Sequence, residues 1–348
     1  MQVCRQDDGV PGNWRVVTND EIVLSSLSKI KDEREYSMKL FRAFLVIVLL
    51  FNSIGFAQVK DTPAVIQVTD KHFRIFKPDG KEASLEDIFA AMKETDVVFI
   101  GENHDDPAAH YLEAVLFKGA GEHYKAQRPV VLSLEMFESD VQIVVDEYLA
   151  GLITETQFIS NSRAWGNYKT DYRPMVEYAR ENKLAVVAAN APRRYVNRVS
   201  RLGRASLNEL SPQAKSWLPP LPYGEPSKQY ADKFINLMTQ SGASNPNHQI
   251  TKDSSILASQ SLWDASMAHS IAETLKQKKN ALVVHVNGSF HSEERMGIPE
   301  HLLRYRKETK FIVVTIKSGE GFPNFDARKM GRLGDFVILT DPGLPRSR

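Results

Sequence analysis

Cysteine is all but absent from this 348-residue sequence, whose one thiol, Cys4, lies near the N-terminus. No disulfide can form within the chain, so stability has to come from a hydrophobic core, which a chain of this length can bury. An excess of either charge is equally absent, with 44 Lys and Arg against 43 Asp and Glu. That balance leaves no basic footprint for nucleic acid and no acidic tail. Internal repeats and low-complexity tracts are missing. Long apolar runs are confined to Ala43–Phe51, too short for a comfortable membrane span. The rest is ordinary globular composition, 42% hydrophobic and 25% charged.

The apolar run belongs to "MKLFRAFLVIVLLFNSIGFAQ". Lys39 and Arg42 precede it, and the small residues Gly55 and Ala57 follow. This is the tripartite pattern of a secretory signal. The expectation is a signal peptide over 38–57 cleaved after Ala57, with Met38 as the start and 1–37 a non-native or disordered extension without an obvious element. No cysteine follows the run to carry a lipid. An exported protein of the periplasm or cell envelope, lacking a lipobox cysteine, is expected.

Downstream of an N-terminal segment, 58–82, short apolar runs alternate with helical patterns. The runs are Val97–Ile100, Val130–Leu134, Leu184–Ala189, Ala281–Val286 and Phe311–Thr315. Such runs fit strands buried on both faces, and the alternation predicts an α/β fold with a mainly parallel sheet covered by helices. Helices are expected at Pro107–Lys118, at Val141–Ala150 behind Ser139 and Asp140 as N-cap residues, at Arg173–Glu181 and at Ser254–Lys276. One segment interrupts the rhythm. Residues 206–249 are rich in Pro, Ser, Asn and Gln around "WLPPLPYGEPS", and read as a helical, proline-rich insertion acting as a lid or a partner surface.

Polar residues fall where such a sheet binds ligands, beyond the carboxyl ends of its strands. "GENH", "SLEMFESD", "AANAPRR" and "HVNGSFH" would gather Glu102, His104, Glu135, Asn190, Arg193 and His291 on one rim. Two of these stretches read Gly-x-x-His after an apolar strand, Gly101–His104 and Gly288–His291. Glycine there is expected to permit a sharp turn out of the strand. Two imidazoles with Glu102 and Glu135 suit either a divalent metal or an acid/base pair. His285 reads as a hydrogen-bonded core residue. His72, His110, His123, His248 and His301 read as surface residues. Asp264, on an apolar helix face beside Trp263 and Met267, needs a partner.

Six segments in this order, "IGENHDD", "LSLEMFE", "YRPMVEYAR", "VVAANAPR", "QSLWDASMA" and "GSFHSEERMGIPEHL", resemble the haem-binding uptake family ChaN. That family belongs to the wider Tiki, TraB and erythromycin-esterase-like group. The resemblance implies a domain over 83–306 followed by a C-terminal strand and tail, 307–348. It implies an exported, often lipid-anchored protein of haem and iron uptake, a homodimer holding haem between protomers, and envelope haem-uptake partners. Tyrosine would meet iron and histidine the propionates. The residues available here are Tyr168, Tyr172 and Tyr223, which look exposed, with Arg193, Arg194, His104 and His291 for the propionates. Hydrolases in the wider group imply the alternative. Glu102, His104, Glu135 and His291 would then cleave an ester or peptide bond, with any divalent metal on His104, Glu135 and His291. A binding module for an envelope partner is the third reading.

Overall fold

The computed structural model describes residues 3–6, 14–17, 67–240, 254–319 and 321–347. The signal-like segment 38–57 and residues 241–249 of the insertion lie outside the described residues, as does His248. The chain divides into Met1–Val65 and Ile66–Arg348. The first unit contains one antiparallel pair, Val3–Gln6 with Trp14–Val17, an element that the weak periodicity there does not announce.

The second unit is built on eight strands. They are β1 (Phe73–Phe76), β2 (Glu82–Ala83), β3 (Val97–Glu102), β4 (Val130–Glu138), β5 (Ala185–Asn190), β6 (Leu282–Gly288), β7 (Phe311–Ser318) and β8 (Phe336–Thr340). Their order across the sheet is β2-β1-β8-β7-β3-β6-β4-β5. The six strands from β8 to β5 run parallel, and β1 and β2 add an antiparallel edge. The chain moves outward from β3 to β4 and β5, returns to insert β6 beside β3, then builds β7 and β8 on the other side. Connections leaving β3 and β6 therefore part in opposite directions and open a crevice at their carboxyl ends.

Alternation of side chains explains the two covered faces. Val98 and Ile100 pack into one core with Leu132, Leu134, Val284 and Val286, while Val97 and Phe99 enter another with Val131 and Val283. The first face is covered by α1 (Leu85–Met92), α2 (Pro107–Tyr124), α3 (Gln142–Leu149), α4 (Glu155–Asn161) and α5 (Arg173–Glu181). The second carries α6 (Arg193–Leu202), then α7 (Pro212–Lys215) and α8 (Lys228–Gln240) of the insertion, α9 (Ser255–Gln277) and α10 (Ile298–Tyr305). Each aliphatic side chain buried in this way contributes about 1.5–3 kcal/mol.

Local chemistry sets the helix starts nearest the rim. Pro107 occupies the first turn of α2, and the Asp106 carboxylate caps it by accepting from Ala108 N at 3.0 Å. Ser254 caps α9 by accepting from Leu257 N. Ser139 and Asp140 do not cap α3: they begin a 3-10 turn, and Asp140 instead pairs with Arg163 and Arg194. The described part of the insertion is anchored rather than free. Leu207, Ala214, Leu218 and Tyr223 form a cluster with Tyr195 and Val199 of α6 and Leu262 of α9. Among the described residues, no helix is long and apolar enough to cross a membrane.

Candidate functional site

The rim takes its geometry from the pairing of β3 with β6, which sets Glu102 directly beside Gly288. His104 and His291 are thereby brought onto the same spot. A Cβ built on Gly288 would stand 2.8 Å from His104 Nε2 and 3.7 Å from His291 Cδ2. Gly288 has φ −57° and ψ 133°, so glycine here answers to the close approach of the His104 ring and not to a left-handed turn. Gly101 answers to the same reason, since a Cβ there would meet the Ser289 backbone at 2.9 Å. The turn expected of these glycines is replaced by close approach.

Glu135 reaches the same place from β4. Its Oε2 accepts from Gly288 N at 2.7 Å, and its Oε1 lies 3.7 Å from His291 Nε2. Pairing of β4 with β5 slips between Leu134 and Glu138, so the strand leaves strict alternation where Glu135 has to turn. Asn190 braces the slip by donating from Nδ2 to the Glu135 carbonyl at 3.0 Å.

Each imidazole is held at Nδ1 by a buried carboxylate. His104 Nδ1 donates to Glu102 Oε1 at 2.9 Å, an oxygen that also accepts from the Tyr172 hydroxyl at 2.9 Å. His291 Nδ1 donates to Asp264 Oδ1 at 2.6 Å, which supplies the partner that Asp264 requires. With Nδ1 committed, Nε2 is the working atom of both rings. Burial opposes a charge on His291, yet Glu135 and Asp264 outweigh it and raise its pKa to about 9. His104 is raised as well, burial being outweighed by its bond to Glu102 and the charge of Glu135. The two differ in access, the His104 side chain being 45% exposed and that of His291 10%. His285, one layer below, is buried, bonds Ser133 Oγ at 2.8 Å and is driven down to about 3 by burial and the charge of His291, as expected of a core histidine.

Three tyrosines that look exposed in the sequence are not. Tyr168 lies among Phe137 and Phe158 with its hydroxyl unpartnered; Tyr172 is sealed behind Glu102; Tyr223 donates to the Ala258 carbonyl at 2.9 Å. Aromatic rings in "AWGNYKTDYRP" and the proline-rich stretch fold inward to fill the gaps between α4, α5 and the sheet, and under the insertion. Burial pushes all three phenols up, against ionisation. Trp165 is half-buried and meets the exposed His104 ring edge-on at 5.1 Å, and Arg193 is exposed at the start of α6. Arg194 is spent on Asp140 and stacks on Tyr195 and Trp217.

Two histidines read as surface residues are interior. His301 is buried against Ser261 Oγ at 3.2 Å. His110 is buried one turn into α2, its Nδ1 3.0 Å from Glu102 Oε2 and 3.3 Å from Glu113 Oε2. Burial opposes its charge, but Glu113 and Glu102 outweigh that and raise it to about 11. Within this pair of acids, burial and the charge of Glu102 push Glu113 up, while burial of Glu102 is outweighed by His104 and His110, which hold it down. His110 and Glu113 stand three apart on a helix face also carrying Leu116 and Phe117, and ionisable residues at apolar spacing were the available signal.

At the rim the His104 side chain reaches the surface. One groove, of about 640 Å³, is lined by Lys125, Arg128, Lys183 and Lys278 near the start of β4 and β5, and another, of about 490 Å³, by Lys215, Pro219, Leu221 and His269. Neither includes the rim residues.

The solved structure of ChaN from Campylobacter jejuni, described as binding haem cofacially, is 20% identical, aligns with 78% of this chain and 98% of its own, and has a TM-score of 0.61. Weaker likenesses are a Bacillus cereus protein (11% identity, 78% of this chain and 95% of its own, TM-score 0.43) and the type III effector HopBA1 (12%, 74% and 93%, TM-score 0.40). These show a shared fold only in the first case. No curated protein sequence matches the chain. The model of one family, described as haem-binding uptake, Tiki superfamily, ChaN, matches residues 88–302 and so spans β3 to α10 with every rim residue. The chain belongs to that family.

Proposed function

We propose that this protein is an exported haem-binding protein of haem and iron uptake, taking haem as cargo across the open strand-end rim. The supporting observation is the convergence of His104, Glu135 and His291 at Gly288, with His104 exposed beside Trp165. His104 Nε2 faces the porphyrin as iron ligand or propionate partner, and Arg193 pairs with a propionate. An open surface leaves the second face of the disc uncovered, which supports a rim shared between two copies of the chain. Export through the signal-like segment and delivery to an envelope partner complete the reading.

Titration of the purified chain with haem tests it. A saturating, shifted Soret band is expected, with affinity reduced at least about tenfold in His104→Ala. Free-haem absorbance at stoichiometric protein overturns the proposal. Phenylalanine at 168, 172 and 223 should leave the band in place; its loss in one of them would reassign the iron ligand.

A hydrolytic reading is favoured by one observation, the anchoring of both Nδ1 atoms on carboxylates. His104 would draw a proton from water while the charged His291 stabilises the developing oxyanion. Hydrolysis of a small ester or peptide, abolished by His104→Ala, is its signature.

A further inference from the structure

Behind the rim, Glu102, His110 and Glu113 meet in a space sealed from solvent. Glu102 and Glu113 have fully buried side chains, and His110 is 4% exposed. Ligand atoms of the three lie within 4.8 Å of one another. Glu102 Oε2 stands 3.0 Å from His110 Nδ1 yet accepts no hydrogen bond, and Glu113 Oε1 is likewise without a partner. Two buried carboxylates face one imidazole, a charge excess that is unfavourable away from water unless a proton or a further cation answers it.

We infer that Glu102, His110 and Glu113 bind one divalent first-row transition-metal ion, at a buried site that shares Glu102 with the rim but does not depend on the haem reading. The donor set, one imidazole nitrogen with two carboxylates, is that of zinc, manganese or iron(II) and not of an oxygen-only calcium site. The spacing agrees. Donors around an ion at about 2.1 Å stand roughly 3.0–3.5 Å apart, and His110 Nδ1 lies 3.0 Å from Glu102 Oε2 and 3.3 Å from Glu113 Oε2.

The far side of the ring is arranged for the same purpose. His110 Nε2 sits 3.3 Å from Asp171 Oδ2 and 3.2 Å from the His104 carbonyl, so it donates outward and turns Nδ1 toward the two acids. A carboxylate behind a ligating imidazole fixes its tautomer and raises its basicity. His110 and Glu113, three apart on α2, present their donors on one helix face, and Glu102 closes the set from β3. The other oxygen of Glu102 remains on His104 and Tyr172, so the ion stiffens the carboxylate on which the exposed imidazole hangs. In the ion-free protein the proton on His110 takes the ion's place.

The full chain, dialysed against a chelator, is titrated with zinc, manganese and cobalt(II) salts in turn, by calorimetry and thermal unfolding. One ion per chain and a rise in Tm of several degrees are expected, with visible d–d absorption for cobalt. Glu113→Gln should weaken binding by more than about a hundredfold, and Asp171→Asn by about 10- to 100-fold. Glu135→Gln, which alters the rim alone, should bind as the parent does. No uptake of any of the three ions, or uptake lost in Glu135→Gln and kept in Glu113→Gln, overturns the assignment. Should Glu113→Gln fail to fold, the cobalt spectrum of the unaltered chain decides alone: absence of a protein-bound band defeats the proposal. Haem binding can fail without touching any of these readouts.

Discussion

Gly101–His104 and Gly288–His291 end neighbouring strands, share a sequence pattern and present the same nitrogen to the same point, yet they are opposite kinds of site. His104 takes its carboxylate from two residues earlier in its own strand and stays 45% exposed; His291 takes its carboxylate from α9, 27 residues earlier, and is 10% exposed. The motif places an imidazole at a strand end. What is packed over it decides whether that imidazole is reachable or becomes a stored charge. In the proposed reading His104 is the contact, and His291 is the buried cation beside it.

The largest expected difference between the two is in stability. Asp264→Ala leaves His291 without its partner and should cost about 3–5 kcal/mol in urea unfolding. His291 is raised from 6.5 to about 9 on folding. Its stabilisation is therefore complete below pH 6.5 and lost as pH rises through 9, a change of roughly 3 kcal/mol. Asp264→Ala should flatten that slope. Since His110 is raised as well, the readout is the difference between the two proteins: a slope from pH 6.5 to 9.5 unchanged by Asp264→Ala would erase the distinction between the motifs.

Tyr172→Phe acts on the other motif and should cost about 1.5–3 kcal/mol, the worth of a buried hydrogen bond to a charged acceptor. The Soret band should survive it. Smallest is the contrast between the motif glycines. Gly101→Ala drives a methyl into the Ser289 backbone and should cost about 1–3 kcal/mol. Gly288→Ala meets a half-exposed ring that can swing away, so its cost should stay under about 1 kcal/mol while haem affinity drops. The reverse order of these two would mean that His104 is the more rigid imidazole.

The five strands and four helices are legible because each is a continuous apolar run or a periodic pattern, and Pro107 marks the start of α2. β8, "FVILT", has the same character, but it is short and stands beyond a polar stretch; β1, "FRIF", is a four-residue strand interrupted by arginine, and its pairing is decided by distant β8. At the site, His104, Glu135 and His291 were readable from strand ends. Asp264 signalled its need but not its partner. His110, Glu113 and the inward tyrosines were hidden because burial of a helix face or a loop depends on what docks there. Glycine at 101 and 288 was readable as a requirement, with its cause reversed.

The slip in β4 has a practical consequence. Pairing with β5 stops at Leu134–Ala188 and resumes at Glu138–Asn190, leaving residues 135–137 outside the ladder. The direction of the Glu135 carboxylate is thus set by this arc and not by the ladder with β5. Lengthening or shortening this short arc would re-aim the acid and at the same time re-seat Met136 and Phe137, which the arc carries into the core, so the aim of the carboxylate can be redesigned only together with the packing of those two side chains.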